Sequence, residues 1–269
     1  MTAPPPAGAG TTSRVALVTG ASRGIGKAIA LRLAADGIDI AVGYLMNEDA
    51  AEEVAAAVRA TAPEGAPRRR AITVQGDIRS KDDLEQIVDT TATELGALDI
   101  VVANAALGVL KPALKIREPK WDLTMETITR SFLTLARLAH PHMATDATRA
   151  RGGGRLLTLS SLGAHKTMAG YAAIGSAKAA LETLVRYLAV ELSGDGIRVN
   201  CLSGGPITTD ALDYVMADPA TRARVAAVTP LGRLGNPDDL AKVISFLCHP
   251  DSDWITGQTI IADGGLSLR

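Results

Sequence analysis

Cysteine is scarce: the 269-residue chain has two, Cys201 and Cys248, far apart and without Cys-x2-Cys spacing. That excludes a disulfide-stapled scaffold and a thiolate zinc site and fits a reducing compartment. Charge of one sign is missing too. With 28 Lys+Arg against 29 Asp+Glu, the formal net charge is −1, so no global field draws the chain to nucleic acid or to an anionic membrane. No stretch of about 20 apolar residues could span a bilayer. The opening MTAPPPAGAGTTS lacks the charged start and apolar run of a signal peptide, so residues 1–13 read as a flexible arm and the cytoplasm as the compartment. There are four histidines. His140 and His142 flank a proline, His165 lies in the loop before Tyr171 and His249 ends a helix, which makes no metal-ligand set.

What is present is an ordinary globular composition, 47% hydrophobic and 21% charged. Short apolar runs alternate with longer helical patterns: RVALVTG, GKAIALRLAADG, IDIAVGY, DAAEEVAAAVRATA, AITVQGD. This rhythm predicts parallel strands joined by helical crossovers packed on both faces of the sheet. It continues through LDIVVANAA, a long helix near 118–145, RLLTLSS, a second long helix near 168–193, and GIRVNCLS. A last strand, QTIIADGG, follows a helix that Asn236 caps and Pro237 begins. The fold class is therefore α/β, a Rossmann-type doubly wound parallel sheet of about seven strands in one domain, residues 14–269. Residues 205–235 contain no strand. They follow a strand's carboxyl end, where open α/β sheets place ligands, and are read as a lid.

The first strand runs into Thr19-Gly20-Ala21-Ser22-Arg23-Gly24-Ile25-Gly26 and then a helix. A dinucleotide site needs this order: glycines let the backbone turn tightly and approach the pyrophosphate, and the helix N-terminus offers free N–H groups and a positive dipole end. An NAD-specific site places an acid at the end of the second strand, against the ribose 2′-hydroxyl. Here that stretch is Ala41-Val42-Gly43-Tyr44-Leu45-Met46-Asn47, with no acid before Glu48. Arg23 offers a charge-assisted partner for a 2′-phosphate, so NADPH is expected ahead of NADH.

Ser160-Ser161 ends a strand, and Tyr171 and Lys178 fall at the start of the next helix, seven residues apart. At about 100° per residue that spacing returns two side chains to within roughly 20° of one face. A lysine charge there is expected to lower the phenol pKa from near 10. The phenol then serves as a donor to developing oxyanion charge.

Together, TGxxxGIG, SSLG, the Tyr-Lys helix and the C-terminal runs SAKAALETLVRYLAVELS, VNCLSGGPITTDAL and GQTIIADGGLSL resemble the short-chain dehydrogenases/reductases over nearly all of residues 14–269. That superfamily usually has Tyr-x3-Lys, with a serine thirteen residues before the tyrosine. Thirteen beyond Ser161 stands Ile174, and the phenol lies three residues earlier, about 4.5 Å along the axis. Tyr-x6-Lys, together with Gly204-Gly205 in place of Pro-Gly, resembles the FabL-type NADPH-dependent enoyl-acyl-carrier-protein reductases. The resemblance implies Tyr171 as oxyanion donor, Lys178 as ribose and electrostatic anchor, and Ser161 as a second polar group. It implies cofactor contacts at Gly20, Ser22, Arg23, Gly24, Ile25, Gly26, Tyr44, Asp77, Ile78, Asn104, Ala105, Lys178, Gly205, Pro206, Ile207 and Thr209. Asp77 would meet the adenine, and Asn104-Ala105 would line the cofactor.

The position usually occupied by the relay asparagine is Ile128. Hydride transfer to C3 of an enoyl thioester puts charge on the thioester oxygen two bonds away, so a displaced phenol suits that chemistry. The alternatives are a carbonyl or imine reductase, and a non-catalytic dinucleotide-sensing protein. The expected partners are a small acyl thioester, carried by coenzyme A or an acyl carrier protein, and further copies of the chain in a homotetramer. The tetramer is expected from Leu181, Leu184, Val185, Leu188 and the ending GGLSL. An acidic carrier would be steered by Lys111, Lys115, Arg117 and Lys120 and by Arg222, Arg224 and Arg233 of the lid.

Overall fold

A computed structural model describes residues 13–61 and 67–269; the expected arm, apart from residue 13, lies outside the described residues. In chain order the main elements are β1 (Val15–Val18), α1 (Gly24–Ala35), β2 (Asp39–Tyr44), α2 (Glu48–Ala60), β3 (Ala71–Gln75), α3 (Lys81–Leu95) and β4 (Ile100–Ala103). Then come α4 (Glu118–Met125), a π-helical turn over Glu126–Arg130, α5 (Ser131–Met143), α6 (Asp146–Ala150), β5 (Gly154–Ser161), α7 (Ala172–Glu191) and β6 (Ile197–Gly204). The chain closes with α8 (Asp210–Val215), α9 (Pro219–Val228), α10 (Pro237–Cys248) and β7 (Thr259–Ala262).

The seven strands are parallel, in the order β3-β2-β1-β4-β5-β6-β7. The order reverses between β1 and β4, and that switch point opens the crevice in which such sheets bind ligands. Strands β1 and β2 are buried at every position, as central parallel strands covered on both faces must be. One apolar core packs Ile29 and Leu33 of α1, Val54 and Val58 of α2, and Leu240 and Ile244 of α10 on one face. A second packs Leu84 and Ile87 of α3, Phe132 and Leu135 of α5, and Leu181 and Val185 of α7 on the other.

Helix starts follow local chemistry. Asn47, Ser80 and Asn236 cap α2, α3 and α10 through their side chains, and Asn236 with Asp239 forms a full capping box. The helix expected over 118–145 ends at Met143 and is interrupted by the π turn, which buries Ile128. The helix expected from 168 begins at Ala172, with Tyr171 at its N-cap. Residues 205–235 do leave the sheet, and their base is clamped. Gly235 N donates to Pro206 O (3.0 Å) and Thr208 N to Gly235 O (2.9 Å), so α8 and α9 form one excursion hinged on adjacent strands of chain.

One structural basis for self-association is corrected. Leu181, Val185 and Leu188 are buried in the chain's own core, and Leu184 packs against it. The apolar side chains that α7 exposes are Tyr187 and Val190. No helix among the described residues is long and apolar enough to cross a membrane.

Candidate active site

The glycine turn is built by backbone proximity. Gly20 and Gly24 have φ of 64° and 56°, a region that L-residues with side chains avoid. A Cβ on Gly26 would lie 2.2 Å from Gly20 O, so only glycine lets α1 start this close to β1. Asn104 braces the turn from β4: its Nδ2 donates to Thr19 O (3.0 Å) and Gly20 O (3.1 Å). Thr19 Oγ1 accepts from the Asn104 and Ala105 amides, both at 3.1 Å. Asn104 is thus a brace for the crevice wall.

Arg23, the residue before α1, makes no side-chain cap. The first N–H groups of this helix are therefore left for a ligand, unlike those of α2, α3 and α10. With the tight glycines, that fits a dinucleotide pyrophosphate. Ser22 and Ile25 stand in the same turn, and Thr209, which caps α8, packs 3.6 Å from where a Gly24 Cβ would be. The start of the 205–235 excursion therefore stands over the glycine turn. Arg23 itself reaches Asp210 of α8 across 3.5 Å in solvent, a weak pair that a phosphate could displace.

The remaining cofactor-side residues differ in availability. Tyr44 is buried at the end of β2. The Asp77 carboxylate is already engaged by the Arg79 amide at 2.9 Å and by the Arg79 guanidinium, which holds it below its ordinary pKa. Ile78, the next residue, packs at the edge of the second core. Gly205, Pro206 and Ile207 line a cavity of about 450 Å3 between the two ends of the 205–235 excursion and the segment after β7, together with Thr229, Leu231 and Asp263; this cavity is distinct from the one at Tyr171.

At the β5–α7 junction the Tyr171 ring lies over Gly163, where a Cβ would come within 2.4 Å of it. Tyr171 also lines a second cavity of about 450 Å3 with Gly163, His165, Met168 and Ser176. Ser161 Oγ is buried beside the phenol without a well-formed hydrogen bond, and Ser203 Oγ on β6 is likewise unpartnered. Buried hydroxyls without a well-formed hydrogen bond are unusual in a protein interior. Three residues on, Ile174 occupies the space beside Gly108, where a Cβ would meet it at 2.3 Å.

Lys178 corrects the sequence expectation. Burial pushes the Tyr171 phenol above its ordinary pKa, and only the neighbouring Ser161 hydroxyl eases it. The lysine does not lower it, because Lys178 Nζ turns away to donate to Leu159 O at 2.6 Å. Burial brings Lys178 itself down to about 8, against the opposing pull of the Glu182 carboxylate. Sequence reasoning also passed over Glu182 and His165. Glu182 is buried, accepts from Ser160 Oγ at 2.5 Å and pairs with His165 Nε2 at 2.6 Å. The signal was the i, i+4 spacing from Lys178 to Glu182 on one helix face.

A family model described as enoyl-(acyl carrier protein) reductase matches residues 20–267. The chain belongs to the short-chain dehydrogenase/reductase family. It is similar to the hydroxynaphthalene reductase-like protein Arp2 of Metarhizium robertsii, 35% identical over 94% of this chain and 95% of that protein. It is also similar to the 1-cyclohexenylcarbonyl-CoA reductase of Streptomyces collinus, 35% identical over 95% of this chain and 87% of that protein. Among solved structures it matches a 7α-hydroxysteroid dehydrogenase complexed with NADH and 7-oxo glycochenodeoxycholic acid. The TM-score is 0.84 at 34% identity, covering 94% of this chain and 93% of that one. The family's members are oxidoreductases that use NAD(H) or NADP(H), and this chain is one of them.

Proposed function

We propose that this short-chain dehydrogenase/reductase uses NADPH to reduce the C=C bond of an enoyl thioester. The observation that carries the reading is the exchange at the start of α7: a phenol at Tyr171 beside the unpartnered Ser161 hydroxyl, and an aliphatic Ile174 packed into Gly108. Tyr171 would donate to the thioester oxygen as enolate charge develops there, the kind of interaction that strengthens on the way to the transition state. Lys178 would hold positive charge and the nicotinamide ribose below that phenol. A reduced nicotinamide bound in the crevice supplies the hydride. The named activity of the Streptomyces relative and the matched family model support reduction at an alkene conjugated to a thioester.

Carbonyl reduction is the second reading, supported by the hydroxynaphthalene reductase-like relatives and the hydroxysteroid dehydrogenase. Following absorbance at 340 nm with enoyl and 3-oxo thioesters, each with NADPH and NADH, separates the two. The enoyl substrate with NADPH is expected to turn over fastest. A preference for 3-oxo substrates overturns the proposal, and no turnover with any pair favours a dinucleotide sensor. In the same assay Arg23→Ala should weaken NADPH about tenfold, or about 1.4 kcal/mol, and leave NADH unchanged. Equal losses would remove Arg23 from the phosphate.

The acyl group would arrive on coenzyme A or on an acyl carrier protein. Lys111, Lys115, Arg117 and Lys120 are exposed beyond β4 and would face an acidic carrier. The lid cations contribute less, because Arg222 pairs with Asp213 at 2.8 Å and Arg233 grips Asp239. A homotetramer in the cytoplasm remains part of the proposal, with exposed Tyr187, Val190 and Trp254 as the apolar surface that copies would cover.

A further inference from the structure

The stretch from Leu162 to Tyr171 joins the two groups assigned to the chemistry, Ser161 at the end of β5 and Tyr171 at the start of α7. Its middle, residues 165–169, is exposed. Its backbone bonds are local: the amides of His165 and Lys166 donate to Leu162 O, and that of Tyr171 to Met168 O. None of these ties the loop to the body of the protein. A loop with so few tertiary anchors opens easily, yet the donor position of Tyr171 needs to be held within a fraction of an ångström.

Two side chains of the loop reach outside it: Lys166 Nζ donates to Arg269 O at 2.5 Å, and His165 is held by Glu182 of α7. Glu182 Oε2 receives His165 Nε2 at 2.6 Å, and its Oε1 receives the Ser160 hydroxyl at 2.5 Å. One turn earlier on α7, Lys178 Nζ donates to Leu159 O at 2.6 Å. Two consecutive residues of β5 thus grip two consecutive turns of α7, one through a cation and one through a carboxylate. A buried carboxylate is retained only when its oxygens are bonded and a countercharge is near. The groups facing Glu182 meet both conditions: Ser160 from β5, His165 from the loop, Lys178 from the same helix and Cys201 from β6. Burial pushes the Cys201 thiol up to about 12, so it adds no negative charge at neutral pH.

We propose that Glu182 is a positioning residue of this active site, latching loop 162–171 to α7 through His165 and balancing the charge of Lys178. The proposal rests on the assignment of Tyr171 and Lys178 to the chemistry, but it concerns how they are held and not which bond is reduced. It makes two separable demands. The latch should govern how often the loop opens, and the carboxylate should keep Lys178 protonated through neutral pH.

Two variants separate the demands. Glu182→Gln keeps size and hydrogen bonding while removing charge, and His165→Gln loosens the latch while keeping the carboxylate. Amide hydrogen exchange over 162–170 in the cofactor-free protein reads the latch. The pH dependence of NADPH affinity, by fluorescence titration, and of kcat reads Lys178. Wild type should lose affinity and kcat along an alkaline limb near pH 8. Glu182→Gln should move that limb down by about one pH unit. His165→Gln should leave the limb in place and raise exchange across 162–170 about tenfold. Superimposable pH profiles for wild type and Glu182→Gln, or unchanged exchange in His165→Gln, overturn the proposal. Failure of enoyl reduction alone does not touch it, since exchange and NADPH titration need no acyl substrate.

Discussion

The two ends of the sheet bury charge to opposite effect. At the amino ends of the strands, fully buried Asp99 accepts from Val15 N at 2.9 Å and from Arg151 Nη2 at 2.7 Å. Asp39 pairs with Arg70 at 2.8 Å. Buried Arg155 pairs with Asp253, donates to Gly152 O and Gly154 O, and has its pKa brought down to about 10 by burial. Apart from the Arg155 Nε–H, these groups are satisfied by protein. At the carboxyl ends, the Ser161 and Ser203 hydroxyls lack a well-formed hydrogen bond, and Lys178 sits buried with the Leu159 carbonyl as acceptor and the Glu182 carboxylate one turn on. Charge at one end is spent on joining strands. At the other, Lys178 keeps a net burial penalty and two hydroxyls lack a well-formed bond, which costs stability.

The contrast is broken most forcefully at the satisfied end. Asp99→Ala strands Arg151 and the Val15 amide, and losing one partner of a buried pair costs about 3–5 kcal/mol. Melting should fall by about 10 °C, while kcat per folded molecule stays at the wild-type value. Differential scanning calorimetry alongside turnover checks both, and a large loss of kcat in folded protein would mean that the two ends are coupled.

Tyr171→Phe probes the incomplete end. It removes one transition-state hydrogen bond and keeps the ring over Gly163, so turnover should drop roughly 10²- to 10³-fold with cofactor affinity and melting nearly unchanged. Near-normal turnover would take the phenol out of the chemistry.

A smaller and opposite change tests whether the site carries a stability cost. Lys178→Met should abolish useful turnover and yet raise melting by a few degrees at pH 7, at roughly 2–4 °C per kcal/mol. The unfolded chain keeps the lysine protonated up to about 10.5, whereas the folded protein releases that proton near 8. The burial penalty is therefore full below pH 8 and fades as pH rises toward 10.5. The methionine advantage should shrink over the same window, and an advantage independent of pH would assign it to packing alone.

Much of the fold is legible in the sequence. The apolar runs VALV, DIAVGY and IVVA sit between amphipathic helices and could only be strands covered on both faces, and Asn236-Pro237 could only open a helix. The glycine turn was legible for the same reason: positive φ and backbone contact are properties of Gly20, Gly24 and Gly26 themselves. The four α7 residues read as a contact between copies turned inward, because helix periodicity marks an apolar face without saying which surface it meets.

What the sequence determined by itself is what depends on neighbours along the chain: element type, caps, the glycine turn and the displacement of the phenol to Tyr171. Only the tertiary structure decided where Lys178 aims and what surrounds Tyr171. Those outcomes turn on Leu159, Ser160 and Ser161 of β5, brought against α7 by a crossover. Seven-residue spacing places two side chains on one face, but a lysine's four-carbon stem reaches whichever acceptor the opposite strand presents. Here that acceptor was a backbone carbonyl, which every residue type carries and no sequence motif can mark.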